Sequence, residues 1–265
     1  MASTIHPTAL IDRSAEIGAD VTVGPYTVIE GNVVIGDGTS VGPHVVIGEY
    51  TSIGRQCRIF HGAAVGLIPQ DMKFKGEKTS LRIGDRTVIR EFCTLNRGTA
   101  ARGETVIGND CLLLAYSHVA HDCVLGDHVI ASNNLGMAGH VAVGSHVTIG
   151  GMCAIHQFTR IGEYAMIGAF SWVTQDIVPF ALTGSDPVRV VDINKVKLER
   201  CSFSSERIQE VKRAFRILFR SKLKLAEAIR SLVEGFPGNE DVRRIVEFAK
   251  KSERGILRMR NSEQL

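Results

Sequence analysis

The residues best suited to chemistry lie between positions 118 and 157, where six of the nine histidines occur. His121 is followed directly by Asp122. An imidazole titrates near neutral pH, and a neighbouring carboxylate can orient it and stabilise its charged form, so this pair suits a general base that deprotonates a hydroxyl. Gly139 leaves room for a ligand to approach the backbone, whose N–H can stabilise an oxyanion. These three residues are the predicted catalytic set.

A six-residue repeat determines where these side chains lie. An aliphatic residue followed by glycine, as in Ile47-Gly48, recurs in one phase from Ile5 to Val173, and only Asp71 and Glu77 among its 29 positions are polar. Neither a helix nor an alternating strand has this period. The repeat predicts a parallel β-helix with three hexads per 18-residue coil, in which the aliphatic points inward and the glycine permits the corner.

A second inward position lies four residues after the aliphatic and carries mainly small side chains. Five of the six cysteines occupy it, which predicts small core residues rather than a disulfide or metal set. They are Cys57, Cys93, Cys111, Cys123 and Cys153.

An 18-residue coil places residues 18 apart above one another, about 4.8 Å apart at strand spacing. His121 is then expected below Gly139, and Asp122 below His140. The same corner is expected to receive His118, His156 and Gln157. The sequence therefore predicts one polar site built over three coils.

The hexads are interrupted twice and then end. Residues 67–82 and 98–104 form polar segments, which are expected to project as loops, and loops on a rigid scaffold often carry function. Beyond Pro179 the spacing becomes helical, with Ser204 as an expected N-cap and further helices expected over 222–234 and 239–252, the last capped by Asn239. We expect a β-helix domain over 1–178 and a small α-helical domain over 179–265 that covers the end of the β-helix.

The charge is distributed unevenly between these two parts. Residues 1–178 contain 12 Lys and Arg against 16 Asp and Glu, whereas residues 179–265 contain 19 against 12. A basic helical surface suits an acidic protein that carries an acyl chain, and it lacks the interleaved aromatics of a single-strand nucleic-acid binder. The sequence has no run of 18 apolar residues and no signal-peptide pattern at its start, so no transmembrane segment and a cytoplasmic location are expected.

Two other classes of function stay open from the residues alone. Three histidine nitrogens would suffice for a catalytic zinc, but no two histidines lie five residues apart, as they do in carbonic anhydrases of this repeat type. No metal is therefore predicted. The other class is a non-catalytic β-helical scaffold, in which the histidines would affect no rate.

Several motifs resemble one family closely: the UDP-N-acetylglucosamine acyltransferases that begin lipid A synthesis, which are left-handed β-helix trimers. The resemblance covers nearly the whole chain. Its motifs are Gln70-Asp71-Met72-Lys73, Asn96-Arg97-Gly98-Thr99, His118-Val119-Ala120-His121-Asp122-Cys123, Ala138-Gly139-His140-Val141 and Ile155-His156-Gln157-Phe158.

The resemblance implies that His121 deprotonates the sugar 3-hydroxyl, which attacks the thioester of a 3-hydroxyacyl-acyl carrier protein. It implies no cofactor besides that donor, and a homotrimer with sites between subunits. Ala169 would lie where the family limits acyl-chain length. The residues implied in substrate binding are Gln70, Asp71, Lys73, His118, His140, His156, Gln157, Asn194 and Arg200.

The chain departs from the family pattern near its predicted nucleotide contacts. Val196 stands where a glutamate can bind the nucleotide, and Cys201 replaces the second of two paired arginines. These changes affect the acceptor side of the site more than the acyl chemistry. A related enzyme that acylates a 3-amino sugar nucleotide is therefore the alternative substrate assignment.

Overall fold

A parallel β-helix of short strands forms most of the computed structural model, which describes residues 3–184, 187–221 and 223–259. Its strands form three sheets. Sheet 1 contains β1 (Thr4–Ile5), β4 (Thr22–Val23), β7 (Ser40–Val41), β10 (Arg58–Ile59), β13 (Val88–Ile89), β16 (Leu112–Leu113), β19 (Ile130–Ala131), β22 (Thr148–Ile149), β25 (Met166–Ile167), β27 (Ala181–Thr183) and β28 (Val190–Ile193). Sheet 2 contains β2 (Leu10–Ile11), β5 (Val28–Ile29), β8 (Val46–Ile47), β11 (Ala64–Leu67), β14 (Thr94–Asn96), β17 (His118–Val119), β20 (Gly136–Met137), β23 (Ala154–Ile155) and β26 (Trp172–Val173). Sheet 3 contains β3 (Glu16–Ile17), β6 (Val34–Ile35), β9 (Thr51–Ile53), β12 (Ser80–Ile83), β15 (Glu104–Ile107), β18 (Val124–Leu125), β21 (Ala142–Val143) and β24 (Arg160–Ile161).

The strand register confirms the predicted coil. Thr4 pairs with Thr22, a separation of 18 residues. The separation grows to 30 residues between β11 and β14 and to 24 between β14 and β17, because two loops are inserted. The first loop spans 68–79 and the second spans 97–103. Both insertions are multiples of six residues, so the inward phase of the repeat continues beyond them.

The repeat glycines begin the corners but do not take the left-handed conformation there, so the predicted reason for them is wrong. Gly18 does not take the left-handed conformation; Asp20, two residues later, does so with φ 56°. The glycines instead allow close stacking of coils. A Cβ on Gly36 would lie 2.7 Å from the carbonyl carbon of Gly54 and 2.8 Å from the backbone nitrogen of Arg55. Coil spacing therefore excludes a side chain there.

Replacing Gly36 with alanine is expected to destabilise the β-helix by about 1–3 kcal/mol, the usual range for overpacking. Backbone atoms of the next coil cannot move aside as a flexible side chain can. Thermal unfolding followed by circular dichroism measures the effect. Gly235→Ala is the matched control, since no heavy atom lies within 4 Å of a Cβ there. Equal melting temperatures for the two variants would contradict the stacking explanation.

The core is aliphatic, as the repeat predicts. The five inward cysteines lie in the same buried cluster as the aliphatic residues. Burial raises the pKa of the Cys93 and Cys111 thiols to about 11 and that of Cys123 to about 12. These thiols are therefore protonated core side chains at neutral pH.

Beyond the hexads the described residues form a strand pair and four helices. β27 pairs in parallel with β25 and antiparallel with β28, an extension of sheet 1 that the repeat does not predict. The helices are α1 (Lys195–Arg200), α2 (Ser205–Arg220), α3 (Leu225–Gly235) and α4 (Glu240–Lys250). The predicted helix over 222–234 begins at residue 222, which lies outside the described residues.

The predicted helix caps are present. The Ser204 hydroxyl accepts a hydrogen bond from the Arg207 N–H at 3.2 Å, and the Asn239 side chain accepts one from the Val242 N–H at 2.9 Å. α1 is a short additional helix that the hexad and helix patterns do not reveal. None of the helices in the described ranges is long and apolar enough to cross a bilayer.

The helices cover the last coils of the β-helix, as predicted. The Phe203 ring packs edge-on against Tyr164, with centroids 5.2 Å apart, and the Arg160 guanidinium donates to the Lys251 carbonyl at 2.9 Å. Sheet 1 continues past residue 178 into β27 and β28. The division into domains 1–178 and 179–265 stays a prediction.

Candidate active site

The corner between sheets 2 and 3, here called the 2–3 edge, carries the predicted polar cluster. Its turns include residues 121–122, 139–140 and 157–158, and both inserted loops leave the β-helix at the same edge. Asp122 and His140 occupy the left-handed position of their turns, with φ 61° and 62°. This geometry directs two loops and a column of polar turn residues to one side of the molecule.

His121 and Asp122 form a hydrogen-bonded dyad. The His121 Nδ1 lies 2.8 Å from the Asp122 Oδ2. An ionised carboxylate only accepts hydrogen bonds, so the proton of this bond lies on Nδ1 and Nε2 keeps its lone pair. The His121 side chain is 14% exposed. The dyad can therefore take a proton from a group that approaches the edge.

The Asp122 carboxylate is held ionised within the protein. Burial alone would raise its pKa, but hydrogen bonds from Thr99 and His121 outweigh burial and lower the pKa of Asp122 below its ordinary value. Thr99 donates to both carboxylate oxygens, from its N–H at 2.9 Å and from its hydroxyl at 2.6 Å. The carboxylate thus has a fixed orientation toward His121.

Gly139 lies directly over the His121 ring. A Cβ at this position would be 2.6 Å from the His121 Cε1 and 2.8 Å from its Nε2. The described residues offer the Gly139 N–H no backbone or side-chain acceptor, whereas the corresponding corner N–H of Asn109 donates to Asp127 at 2.7 Å. An available N–H beside a basic imidazole nitrogen can stabilise an oxyanion.

Two further histidines line the edge. His140 stacks against Phe158 at 4.6 Å, and its Nε2 is 3.6 Å from the Asp122 Oδ2. Burial lowers the pKa of His140 despite the opposing charge of Asp122. Burial, with a smaller contribution from His121, also lowers the pKa of His118, whose Nδ1 is 2.7 Å from the Thr94 hydroxyl. Both imidazoles are neutral at pH 7 and suited to hydrogen bonding.

The first loop brings its predicted residues toward this edge. The charge of Asp71 acts on His140 and tends to raise the pKa of that imidazole, so the two side chains lie within electrostatic range. The Asp71 carboxylate also accepts the Lys73 N–H at 2.9 Å, which fixes a tight turn. Gln70 and Lys73 are exposed on the same loop. These polar side chains are available to a ligand.

His156 and Gln157 lie one coil beyond Gly139. The Phe158 N–H donates to the Gly139 carbonyl at 3.3 Å, which sets their turn directly above that glycine. The His156 Nδ1 is 3.0 Å from the Gln157 carbonyl oxygen, and the Gln157 side chain is exposed. Both extend the polar edge along the axis of the β-helix.

Three predicted residues lie at other edges of the same chain. Asn194 caps α1 and donates to the Tyr164 carbonyl at 2.8 Å, and Tyr164 belongs to the corner between sheets 3 and 1. Arg200 ends α1 and is exposed. Ala169 is exposed at the corner between sheets 1 and 2. One chain therefore does not bring these three to His121.

The sequence does not identify Thr99 as a site residue, although Thr99 belongs to the Asn96-Arg97-Gly98-Thr99 motif. It contacts Asp122 across the 24-residue coil that contains the second loop. The repeat places the second loop and Asp122 at the 2–3 edge of consecutive coils, so the sequence alone could have predicted that they are neighbours. The hydrogen bonds themselves depend on loop geometry that the repeat does not specify.

His121, Asp122 and His140 are also a group that could be tested for metal binding. One ligand atom from each lies within 4.8 Å of the other two. Both oxygens of Asp122 already accept hydrogen bonds, and its side chain is 0% exposed. The geometry is that of a buried hydrogen-bonded carboxylate and an imidazole, not of three open ligands.

Comparison with protein-family models gives two matches. The model described as Udp N-acetylglucosamine O-acyltransferase, Domain 2, matches residues 176–257. The bacterial transferase hexapeptide model matches residues 14–49 and 104–130. These matches fall on the helical region with the preceding strands and on the β-helix.

Similar proteins span almost the whole chain. An acyl-[acyl-carrier-protein]–UDP-N-acetylglucosamine O-acyltransferase from Xylella fastidiosa is 47% identical over 97% of this chain and 98% of its own length. The crystal structure of the UDP-N-acetylglucosamine O-acyltransferase from Moraxella catarrhalis has a TM-score of 0.93 and 41% identity, covering 96% of this chain and 99% of that one. The enzyme from Francisella novicida has a TM-score of 0.96 and 33% identity over 99% of this chain and 96% of its own. The chain belongs to the family of UDP-N-acetylglucosamine O-acyltransferases.

Proposed function

We propose that this enzyme transfers a 3-hydroxyacyl chain from acyl carrier protein to the 3-hydroxyl of UDP-N-acetylglucosamine, the first step of lipid A biosynthesis. The names of its relatives supply the donor and acceptor classes. The observation that carries the chemistry is the dyad, in which Nε2 of His121 lies beside Gly139 and has no hydrogen-bond partner among the described residues. No cofactor takes part in this reaction.

His121 acts as the general base in this scheme. Its Nε2 removes the proton of the sugar 3-hydroxyl while the sugar oxygen attacks the thioester carbonyl carbon. Asp122 accepts from Nδ1 throughout and stabilises the imidazolium that forms. When the carbon–sulfur bond breaks, the imidazolium returns the proton to the departing thiolate of the carrier. The products are the sugar ester and the free carrier thiol.

Gly139 stabilises the tetrahedral intermediate. Its N–H has no acceptor within the described part of the chain, and its backbone lies next to the His121 ring. Removing one such donor typically costs about 10²- to 10³-fold in kcat in acyl-transfer enzymes. Because the Gly139 N–H and the His121 imidazole lie close together, both can act at the same thioester carbonyl, one on its oxygen and the other on the attacking hydroxyl.

The sugar nucleotide binds along the 2–3 edge. Neutral imidazoles, amides and a carboxylate provide the donors and acceptors that a polar sugar requires. The residues assigned to this role at that edge are Gln70, Asp71, Lys73, His118, His140, His156 and Gln157.

A homotrimer would complete this site. Asn194 and Arg200 would come from the corner between sheets 3 and 1 of a neighbouring subunit. Ala169 would limit the acyl chain from the corner between sheets 1 and 2. The proposal is supported by the distribution of these residues over different edges of one chain. Cyclic trimers bring different edges of neighbouring subunits together.

Mixed trimers test whether a site is shared. Assemblies containing His121→Ala and Arg200→Ala chains are expected to recover up to roughly one third of wild-type activity, because one of three interfaces then has both intact residues. Each variant alone is expected to be impaired. Rates of the separately purified and the co-refolded variants measure this. No recovery on mixing, or a wild-type rate for Arg200→Ala, would contradict the shared site.

We also propose a division of labour between residues 1–178 and 179–265. The β-helix holds the reacting groups, and the basic helices dock the acidic carrier protein. Support comes from the excess of basic residues in 179–265 and from the exposed Arg213 and Arg216 on α2. Charge complementarity speeds such encounters and is weakened by salt. A cytoplasmic location fits a reaction between a carrier protein and a sugar nucleotide.

A panel of 3-hydroxyacyl carrier proteins offered with UDP-N-acetylglucosamine and with its 3-amino analogue tests the function. Product on the hydroxyl sugar is expected, with one preferred chain length. Product on the amino sugar alone would change the acceptor, an outcome compatible with Val196 and Cys201. Absence of product on both would contradict the acyltransferase proposal.

A further inference from the structure

The second loop makes the closest polar contacts to the buried carboxylate of the dyad. We propose that Thr99 is a positioning residue that clamps the Asp122 carboxylate in the orientation in which it accepts from His121. This inference rests on the proposed function, because it assigns Thr99 a role in the same reaction. Thr99 itself is 9% exposed and acts through Asp122 rather than on substrate.

The clamp uses both ends of the carboxylate. The Thr99 N–H donates to Oδ1 at 2.9 Å, and its hydroxyl donates to Oδ2 at 2.6 Å. The hydroxyl must donate in the second bond, because an ionised carboxylate only accepts, and the same hydroxyl oxygen also accepts the Ala101 N–H at 3.2 Å. Two parallel bonds from one residue fix the plane of the carboxylate. Oδ2 then faces the His121 Nδ1 at 2.8 Å.

Burial makes these bonds important. The Asp122 side chain is 0% exposed, so its hydrogen bonds come from the protein. Within the described residues its ion-pair partners are two histidines, His121 and His140, and no lysine or arginine. An ionised carboxylate without adequate donors in such a site would take up a proton. Thr99 therefore provides stabilisation that a cation would provide elsewhere.

The second loop is held firmly enough to act as a clamp. The Gly103 N–H donates to the Thr99 carbonyl at 2.7 Å, closing the loop on itself. The Gly98 N–H donates to the Ser80 carbonyl at 3.1 Å, which ties the loop to β12. A Cβ on Gly98 would lie 2.5 Å from the Glu104 nitrogen, so the backbone there is closely packed. Thr99 is fixed before substrate arrives.

Thr99→Val removes the hydroxyl while keeping the shape of the side chain. We expect kcat to fall about 10- to 100-fold, as for loss of a hydrogen bond to a buried charged group, with KM for the sugar nucleotide changed less than about threefold. The carboxylate becomes more basic without this donor, so the apparent pKa of the dyad rises. In a plot of kcat against pH, the acid limb, where kcat falls as the dyad becomes protonated, should move to higher pH by about one unit. Thr99→Ser keeps the hydroxyl and should remain within about threefold of wild type.

Thr39→Val is the matched control for a purely structural effect. Thr39 is also buried, and its hydroxyl donates to the Gly54 carbonyl at 2.9 Å and accepts the Cys57 N–H at 3.0 Å, far along the β-helix from the dyad. This variant should lose stability without a change in the acid limb. If Thr99→Val does not fold, Thr99→Ala removes the same hydroxyl without a branched side chain.

The outcomes separate the two proposals. Suppose that folded Thr99→Val keeps the wild-type kcat and the wild-type fall of kcat at low pH, and that wild-type activity still requires His121. This result would overturn the role of Thr99 but not the proposed function. The proposal would also fail if kcat decreased equally in Thr99→Val and Thr39→Val and the low-pH part of the kcat profile did not shift. Thr99 would then be a structural residue. Transfer to the sugar that does not require His121 would overturn the general-base role on which this inference rests, and absence of transfer by the wild-type enzyme would overturn the proposed function itself.

Discussion

Replacing His121 with alanine is expected to lower kcat for acyl transfer by about 10²- to 10⁴-fold, the usual contribution of a positioned general base. The imidazole is the basic group that Asp122 orients through Nδ1, which leaves Nε2 as the nitrogen that faces the substrate in the proposed reaction. The sugar nucleotide still meets the other side chains of the 2–3 edge, so its KM should change much less than kcat. Steady-state kinetics with saturating donor measure both constants.

His44→Ala is the control for removal of an imidazole from a corner. His44 stacks on Tyr26 at 5.2 Å, at the corner between sheets 1 and 2 in the N-terminal coils. Its loss should leave kcat unchanged. If His121→Ala retained a rate within a few-fold of wild type while folded, the base would have to be another group.

Gly139→Ala is expected to reduce kcat by about 100-fold or more. The added Cβ would lie 2.6 Å from the His121 ring, so the imidazole must rotate or the coil must shift. A misplacement of about 1 Å at a reacting group can cost about 10²-fold. The same change disturbs the N–H assigned to the oxyanion. Kinetics of the purified variant and its melting temperature together separate a local effect from unfolding.

Gly31→Ala provides the comparison on the same edge. Its Cβ would meet only the Ser14 hydroxyl oxygen closely, at 3.2 Å, and that is the end of a small side chain. Gly31 lies in an N-terminal coil away from the dyad, so full activity is expected. Wild-type kcat in Gly139→Ala would show that neither the ring position nor the adjacent N–H limits the reaction.

The hexad repeat is sufficient to predict the coil because its inward positions carry aliphatic or small side chains that fit the narrow core of every coil. It predicted the stacking of Gly139 on His121 and the polar 2–3 edge, since an 18-residue period fixes which residues are neighbours. It gave the wrong reason for the glycines. At positions such as Gly36, the backbone of the next coil lies too close for any side chain. The left-handed conformation of the corners is taken by other residues, such as Asp20.

Features outside the repeat could not be predicted in the same way. β27 and β28 pair antiparallel beyond the last hexad, so the period carries no information about them. α1 contains only six residues and gives too short a pattern to recognise. Thr99 reaches Asp122 through the shape of an inserted loop. The resemblance named residues such as Arg200, but one chain alone does not assemble them with His121.

The most direct measurement is release of free carrier thiol by wild-type and His121→Ala enzyme, each with and without UDP-N-acetylglucosamine. Wild type with the sugar nucleotide should release thiol in step with sugar ester. His121→Ala with the sugar nucleotide, and wild type without it, should both release thiol only at background rates. Equal release by the two enzymes, or release by wild type that does not depend on the sugar nucleotide, would contradict transfer to the sugar with His121 as its base.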